Sequence, residues 1–195
     1  MESTFFVYLH LGFDHISDLR GYDHILFVLA LCAAYSWSAW KELLWLVTAF
    51  TVGHSVTLAL ATLEVVSING DLVEFLIPVT IFATSLVDIM ERPDAGAGRT
   101  RYFKYSLALG FGLIHGLGFS NFLRAVLGGE ESILLPLFAF NVGLEIGQLL
   151  IVLIALSVTL LMIRVVRMKQ REWMLVLAGG TAGMALTMIV EKLLG

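Results

Sequence analysis

Runs of roughly 20 mainly apolar residues recur along this chain, and that is the length a helix needs to cross a bilayer. No other feature of the sequence constrains the fold as strongly. Inside lipid every backbone N–H and C=O must be satisfied by the segment itself or by a closed barrel, so long continuous apolar runs fold as helices. Six such spans are predicted in the 195 residues, at about 22–40, 43–63, 72–90, 103–126, 133–163 and 172–192. The fifth is long enough to tilt or to continue past the bilayer. Residues 4–13 are apolar but too short to span, and are expected to form an interfacial or re-entrant helix. The expected fold is all-α: a polytopic transmembrane helix bundle forming one domain over residues 1–195.

Composition agrees. Only 14% of residues are charged and 58% are hydrophobic, whereas soluble domains carry about 25% charged residues. The lone Cys32 excludes a disulfide framework and a thiolate metal cluster. The opening Met-Glu-Ser-Thr lacks the basic region of a secretory signal, so insertion is expected to rely on the spans. No stretch resembles a nucleotide-binding motor, a soluble catalytic module or a nucleic-acid-binding patch. The expected surroundings are the lipid bilayer and a metal ion, with room for a homo-oligomer or a metalloenzyme-maturation partner.

Basic residues segregate by side. The connections near 41, 91–104 and 164–171 hold Lys41, Arg92, Arg99, Arg101, Lys104, Arg164, Arg167, Lys169 and Arg171. The other side has Arg20, Arg124 and Lys192 beside Glu64, Asp71, Glu74, Glu130 and Glu131. Loops rich in Lys and Arg stay cytoplasmic, so both termini are expected outside a bacterial inner (plasma) membrane. Pro93 to Gly98 is the connection with an obvious flexible composition, and Ile68 to Asp71 carries an ordinary turn signal.

Polar residues within such spans are costly and usually mark a site. Four of the five histidines lie in, or at the mouth of, apolar segments. Asp23 and His24 begin the first span. His54 lies about 13 Å below the outer end of the second, at 1.5 Å per residue, and His115 and Glu145 reach a similar depth. Asn141, Glu145 and Gln148 share one helical stripe, as do Thr51, His54, Ser55 and Leu58. Gly112 and Gly116 leave the surface beside His115 bare, so a neighbouring helix can approach closely. Converging imidazoles and a carboxylate read most simply as ligands for a divalent transition metal ion. The expected ligands are Asp23, His24, His54, His115 and Glu145, supported by Thr51, Ser55, Asn141 and Gln148. Asp88, with Thr80 and Thr84, forms either the lower part of a path or a packing seam, and the seam is favoured. His10, Asp14, His15 and Asp18 are read as a solvated stretch ahead of the first span.

In order along the chain come Gly-Tyr-Asp-His-Ile-Leu-Phe, Thr-Ala-Phe-Thr-Val-Gly-His-Ser-Val-Thr-Leu, Gly-Leu-Ile-His-Gly-Leu-Gly-Phe-Ser and Phe-Asn-Val-Gly-Leu-Glu-Ile-Gly-Gln. This series resembles the HupE/UreJ family, in its branch of short membrane proteins, over about residues 12 to 190. The resemblance implies a nickel or cobalt permease of the kind associated with hydrogenase and urease gene clusters, with Asp23, His24, His54, His115 and Glu145 at the matching positions. The first span departs from the hydrogenase-linked members: His15 stands further ahead of Asp23-His24, and no proline follows it.

Three functions fit these residues. The leading one is a permease for nickel, cobalt or zinc, driven by an ion gradient, the membrane potential or a separate partner. An intramembrane zinc-dependent hydrolase would use the same imidazoles with a carboxylate as general base. An accessory protein delivering metal to a partner would present the same site.

Overall fold

The computed structural model describes residues 3–66, 68–90, 97–127 and 132–194, with the backbone alone for 97–101, 121 and 124. Arg92, most of the Pro93 to Gly98 connection, Glu130 and Glu131 lie outside the described residues, as do the side chains of Arg99, Arg101 and Arg124. Eight α-helices are described and no strand is found among these residues: α1 (Thr4–Ser17), α2 (Asp23–Ala33), α3 (Trp40–Thr62), α4 (Gly70–Met90), α5 (Ala97–Gly118), α6 (Ser120–Leu127), α7 (Leu134–Arg164) and α8 (Gln170–Leu194). A short 3-10 turn at Trp37–Ala39 leads into α3.

Among the described residues, four segments are long and apolar enough to cross a membrane: Trp37–Thr62, Gly70–Met90, Leu134–Arg164 and Gln170–Leu194. They correspond to the second, third, fifth and sixth predicted spans. The other two predicted spans are broken. The first, expected over 22–40, is reduced to the 11 residues of α2, about 16 Å of helix at 1.5 Å per residue. That falls short of the roughly 30 Å hydrocarbon core. The fourth, expected over 103–126, stops at Gly118 and resumes as α6 after Phe119.

The shortfall of α2 is made up by α1, which is longer than the 4–13 segment expected. Helix α1 runs parallel to α7: the Phe5 ring lies 6.5 Å from Phe138, Gly12 abuts Phe140, and Ile16 abuts Gly147. It therefore descends from the end of the bundle that holds Leu134 to the level of Gly147. Ser17 Oγ donates to the Phe13 carbonyl at 2.7 Å, and the Asp18 carboxylate accepts the Arg20 N–H at 2.8 Å, turning the chain at the break. Helix α2 then carries on in the same direction until Ala33 packs with Met174 and Ala178 of α8. Together α1 and α2 run along the bundle as two consecutive pieces with a break at 18–22.

Small residues set the spacing of the remaining helices. Gly53 lies against the Leu109 carbonyl, Gly112 against that of Phe50, and Gly116 against that of His54, so α3 and α5 touch backbone to backbone. Lys104 of α5 pairs with Asp88 of α4 at 2.9 Å, and Arg171 of α8 donates to the Ile89 carbonyl at 3.0 Å. Lys192 pairs with Glu74 at the other end of the same two helices. Helices α1, α2, α4 and α7 thus run one way and α3, α5 and α8 the other. Lys41, Lys104, Arg164 and Arg171 gather at one end. Thr4, Thr62, Gly70, Leu134 and Lys192 gather at the opposite end, where the Asn69 side chain accepts the Asp71 N–H at 2.8 Å and starts α4.

Candidate metal centre

The break between α1 and α2 lies at the depth of His54 and His115, so four imidazoles meet there. Ring centroids separate His15 from His24 by 4.6 Å and from His54 by 6.0 Å, with 6.0 Å between His24 and His54 and 5.2 Å between His24 and His115. One nitrogen from each of His15, His24 and His54 falls within 4.8 Å of the others. His24, His54 and His115 are buried. Buried polar groups are normally hydrogen-bonded; here Nε2 of His15, His24 and His115 and both nitrogens of His54 have no hydrogen-bond partner.

The other ring nitrogens explain the orientation. His24 Nδ1 lies 3.1 Å from Asp23 Oδ1, which also accepts the His24 backbone N–H at 2.9 Å. Nδ1 of His24 thus faces that carboxylate, and Nε2 points away from it. His115 Nδ1 lies 2.9 Å from the Phe111 carbonyl one turn earlier. Supporting acceptors of this kind hold metal-binding imidazoles in place and raise their basicity. Aromatic rings line the rest. Phe119 lies 3.8 Å from His15 between centroids, Phe140 5.7 Å from His15, and Phe27 and Phe50 lie 5.2 Å and 5.1 Å from His115.

The structure gathers a different group of side chains in two places. His15, read from the sequence as part of a solvated stretch, lies beside His24 and His54. The signal that could have found it is the stripe Tyr8, Gly12, His15, Ile16, where Tyr8, Gly12 and Ile16 are buried. That stripe marks α1 as a packed helix and puts His15 on its inner side. His10, Asp14 and Asp18 are exposed, and a crevice lined by Asp14, His15, Asp18, Phe119 and Phe122 leads from the surface to His15.

Glu145 is the second change. Its carboxylate accepts hydrogen bonds from Thr48 at 2.7 Å and Thr51 at 2.5 Å, across the α3–α7 seam. Asn141 meets Ser55 at 2.5 Å and Gln148 meets Thr51 at 2.7 Å in the same seam. Asp23 hydrogen-bonds His24. Asp88 lies towards the opposite end of the bundle, paired with Lys104. Thr80 and Thr84 donate to carbonyls of their own helix.

A bundle with four helices long and apolar enough to cross a membrane, holding clustered imidazoles in its interior, describes a membrane protein with side chains that could hold a metal ion. The family model described as HupE / UreJ protein matches residues 1–192, and the chain belongs to that family. Neither a curated protein nor a solved structure shows significant similarity to the chain.

Proposed function

We propose that the protein is a membrane permease for a divalent transition metal ion, nickel, cobalt or zinc, with His15, His24 and His54 as its first ligands and His115 beside them. The observation that carries the reading is the meeting of three imidazoles whose ligating nitrogens lie within 4.8 Å of one another. Imidazole donors without a thiolate suit these three metals. The cation is substrate here: it exchanges water for ring nitrogens as it passes the crevice at Asp14 and Asp18. Transport is favoured over an enzyme by the break between α1 and α2, since broken helices place ion sites near the midplane of many transporters.

Uptake into proteoliposomes tests this. Wild-type protein should accumulate nickel, cobalt or zinc, and the triple alanine variant of His15, His24 and His54 should accumulate none. Binding by the wild type without uptake would defeat the permease reading and turn attention to a hydrolase or a metal-delivery protein.

We further propose that the end bearing Lys41, Lys104, Arg164 and Arg171 faces the cytoplasm and that both termini lie outside the inner membrane, by the positive-inside rule. Single cysteines at Asn69 and Gln170, both exposed positions, discriminate the two orientations in a Cys32→Ser background. In spheroplasts an impermeant maleimide should label the first and spare the second. The reverse pattern would invert the topology.

A further inference from the structure

Between the imidazoles and the end that holds Lys41, Lys104, Arg164 and Arg171, four helices bring matched side chains into one column. Phe27, Phe50 and Phe111 stand about one turn from His24, His54 and His115 on their own helices, each nearer that basic end. Their rings meet, with centroids 4.7 Å apart for Phe27 and Phe50 and 6.1 Å for Phe27 and Phe111. A further turn along come Leu31, Leu46 and Leu107, which with Thr84 of α4 line a void of about 10 Å³, the size of one water. Asp88 and Lys104, about a turn beyond Thr84 and Leu107, line the same void.

Asp88 accepts from the Lys104 ammonium at 2.9 Å, and their side chains are only 4% and 10% exposed. The ammonium also lies 5.2 Å from the ring centroid of Tyr35, just past the end of α2. Helix α4 is pinned at its other end by Glu74 and Lys192, but those side chains are about half exposed. A buried ion pair is a poor way to hold two helices together. Desolvating both charges costs about as much as their attraction returns, so apolar residues would hold α4 to α5 as well. What charges add is the ability to part and be rehydrated. Ionisable side chains within membrane spans often mark ion routes. This pair stands in line with the imidazoles, about 16 Å from His115 along α5 at 1.5 Å per residue.

We propose that Asp88 and Lys104 are the latch of a gate between the imidazole cluster and the basic end, with the three phenylalanines as its apolar seal; the proposal rests on the permease reading above. A cation leaving the imidazoles passes the phenylalanine rings and meets Asp88. It takes that carboxylate only by displacing the ammonium, because two cations repel at so short a distance. The long stem of Lys104 lets its charge swing to the surface beside Tyr102 and Phe103, both exposed. Helices α4 and α5 are then free to part. Once the cation has gone, the pair forms again and the column closes behind it. With the pair made, as in this structure, the gate is shut.

Cys32 reports on this gate. It is the lone cysteine, buried in α2 beside Leu31 and packed in the same cluster as Leu46, so a water-borne reagent reaches it only when the column opens. A charged methanethiosulfonate should modify Cys32 slowly in the full wild-type chain in nanodiscs. Lys104→Met leaves the Asp88 charge buried and uncompensated, which should raise that rate about tenfold or more while zinc affinity stays within about threefold. Lys104→Arg keeps the pair and should stay near the wild-type rate. The second arm replaces both charges, Asp88→Leu with Lys104→Leu, giving an apolar plug that keeps the helices packed but offers a cation nothing to displace. This double variant should bind zinc and unfold no lower than wild type, yet lose uptake into proteoliposomes about tenfold or more. A wild-type rate of Cys32 modification in Lys104→Met, or wild-type uptake by the double variant, would each overturn the proposal. Should Lys104→Met fail to fold, the double variant decides alone. If wild type transports nothing, the permease reading fails while the Cys32 rates still decide the latch.

Discussion

His54→Ala is expected to abolish stoichiometric metal binding, while His10→Ala leaves it unchanged. His54 is fully buried, with His15 and His24 both at 6.0 Å between ring centroids. Losing a ligand costs more than losing a supporting partner, which is itself worth about 10–100-fold in affinity. The variant should still fold, because neither His54 nitrogen makes a hydrogen bond that would be lost. A buried polar group left unpaired typically costs about 1–3 kcal/mol, and the substitution removes that penalty while opening a small cavity. Affinity in the wild type should fall as pH falls, since an imidazole must be neutral to bind metal and protons compete with it. Isothermal titration with zinc and nickel across pH, beside size-exclusion profiles, checks these outcomes. Unchanged stoichiometry in the variant would remove His54 from the centre.

Gly112→Ala is expected to destabilise the bundle and damage the metal centre, although alanine is the better helix former by roughly 1 kcal/mol. A Cβ at Gly112 falls onto the Phe50 carbonyl, with the His54 nitrogen 3.1 Å away, and backbone cannot move aside as a side-chain tip can. Overpacking of this kind costs about 1–3 kcal/mol. It pushes α3 from α5 at the level where His54 and His115 sit. Gly110, two residues earlier, has nothing within 4 Å of its added Cβ, so Gly110→Ala should be neutral or stabilising. Thermal unfolding in detergent and metal titration of the two variants measure the contrast. Equal stability of both would show that the two helices can part without cost.

Helical membrane architecture follows from the sequence alone, because lipid leaves an apolar run of such length little choice but a helix. His24, His54 and His115 are legible for a related reason: an imidazole at membrane depth is too costly to be there without a partner or a role. Depth along a helix can be counted in residues. Direction around the axis relative to neighbouring helices cannot, and that is where the tertiary structure decides.

Thr51, His54 and Ser55 look like one stripe, yet α3 turns Thr51 and Ser55 to α7 and His54 to the imidazoles. Glu145 matches the histidines in depth but follows Thr48 and Thr51 into the other seam. His15 is the converse case, since its neighbours Asp14 and Asp18 are polar and exposed. The close approach of Gly12 to Phe140 and of Gly143 to Leu9 draws α1 into the bundle and brings His15 to the centre. Composition and spacing determined which residues lie at which depth. Backbone contact at glycines determined which of them meet.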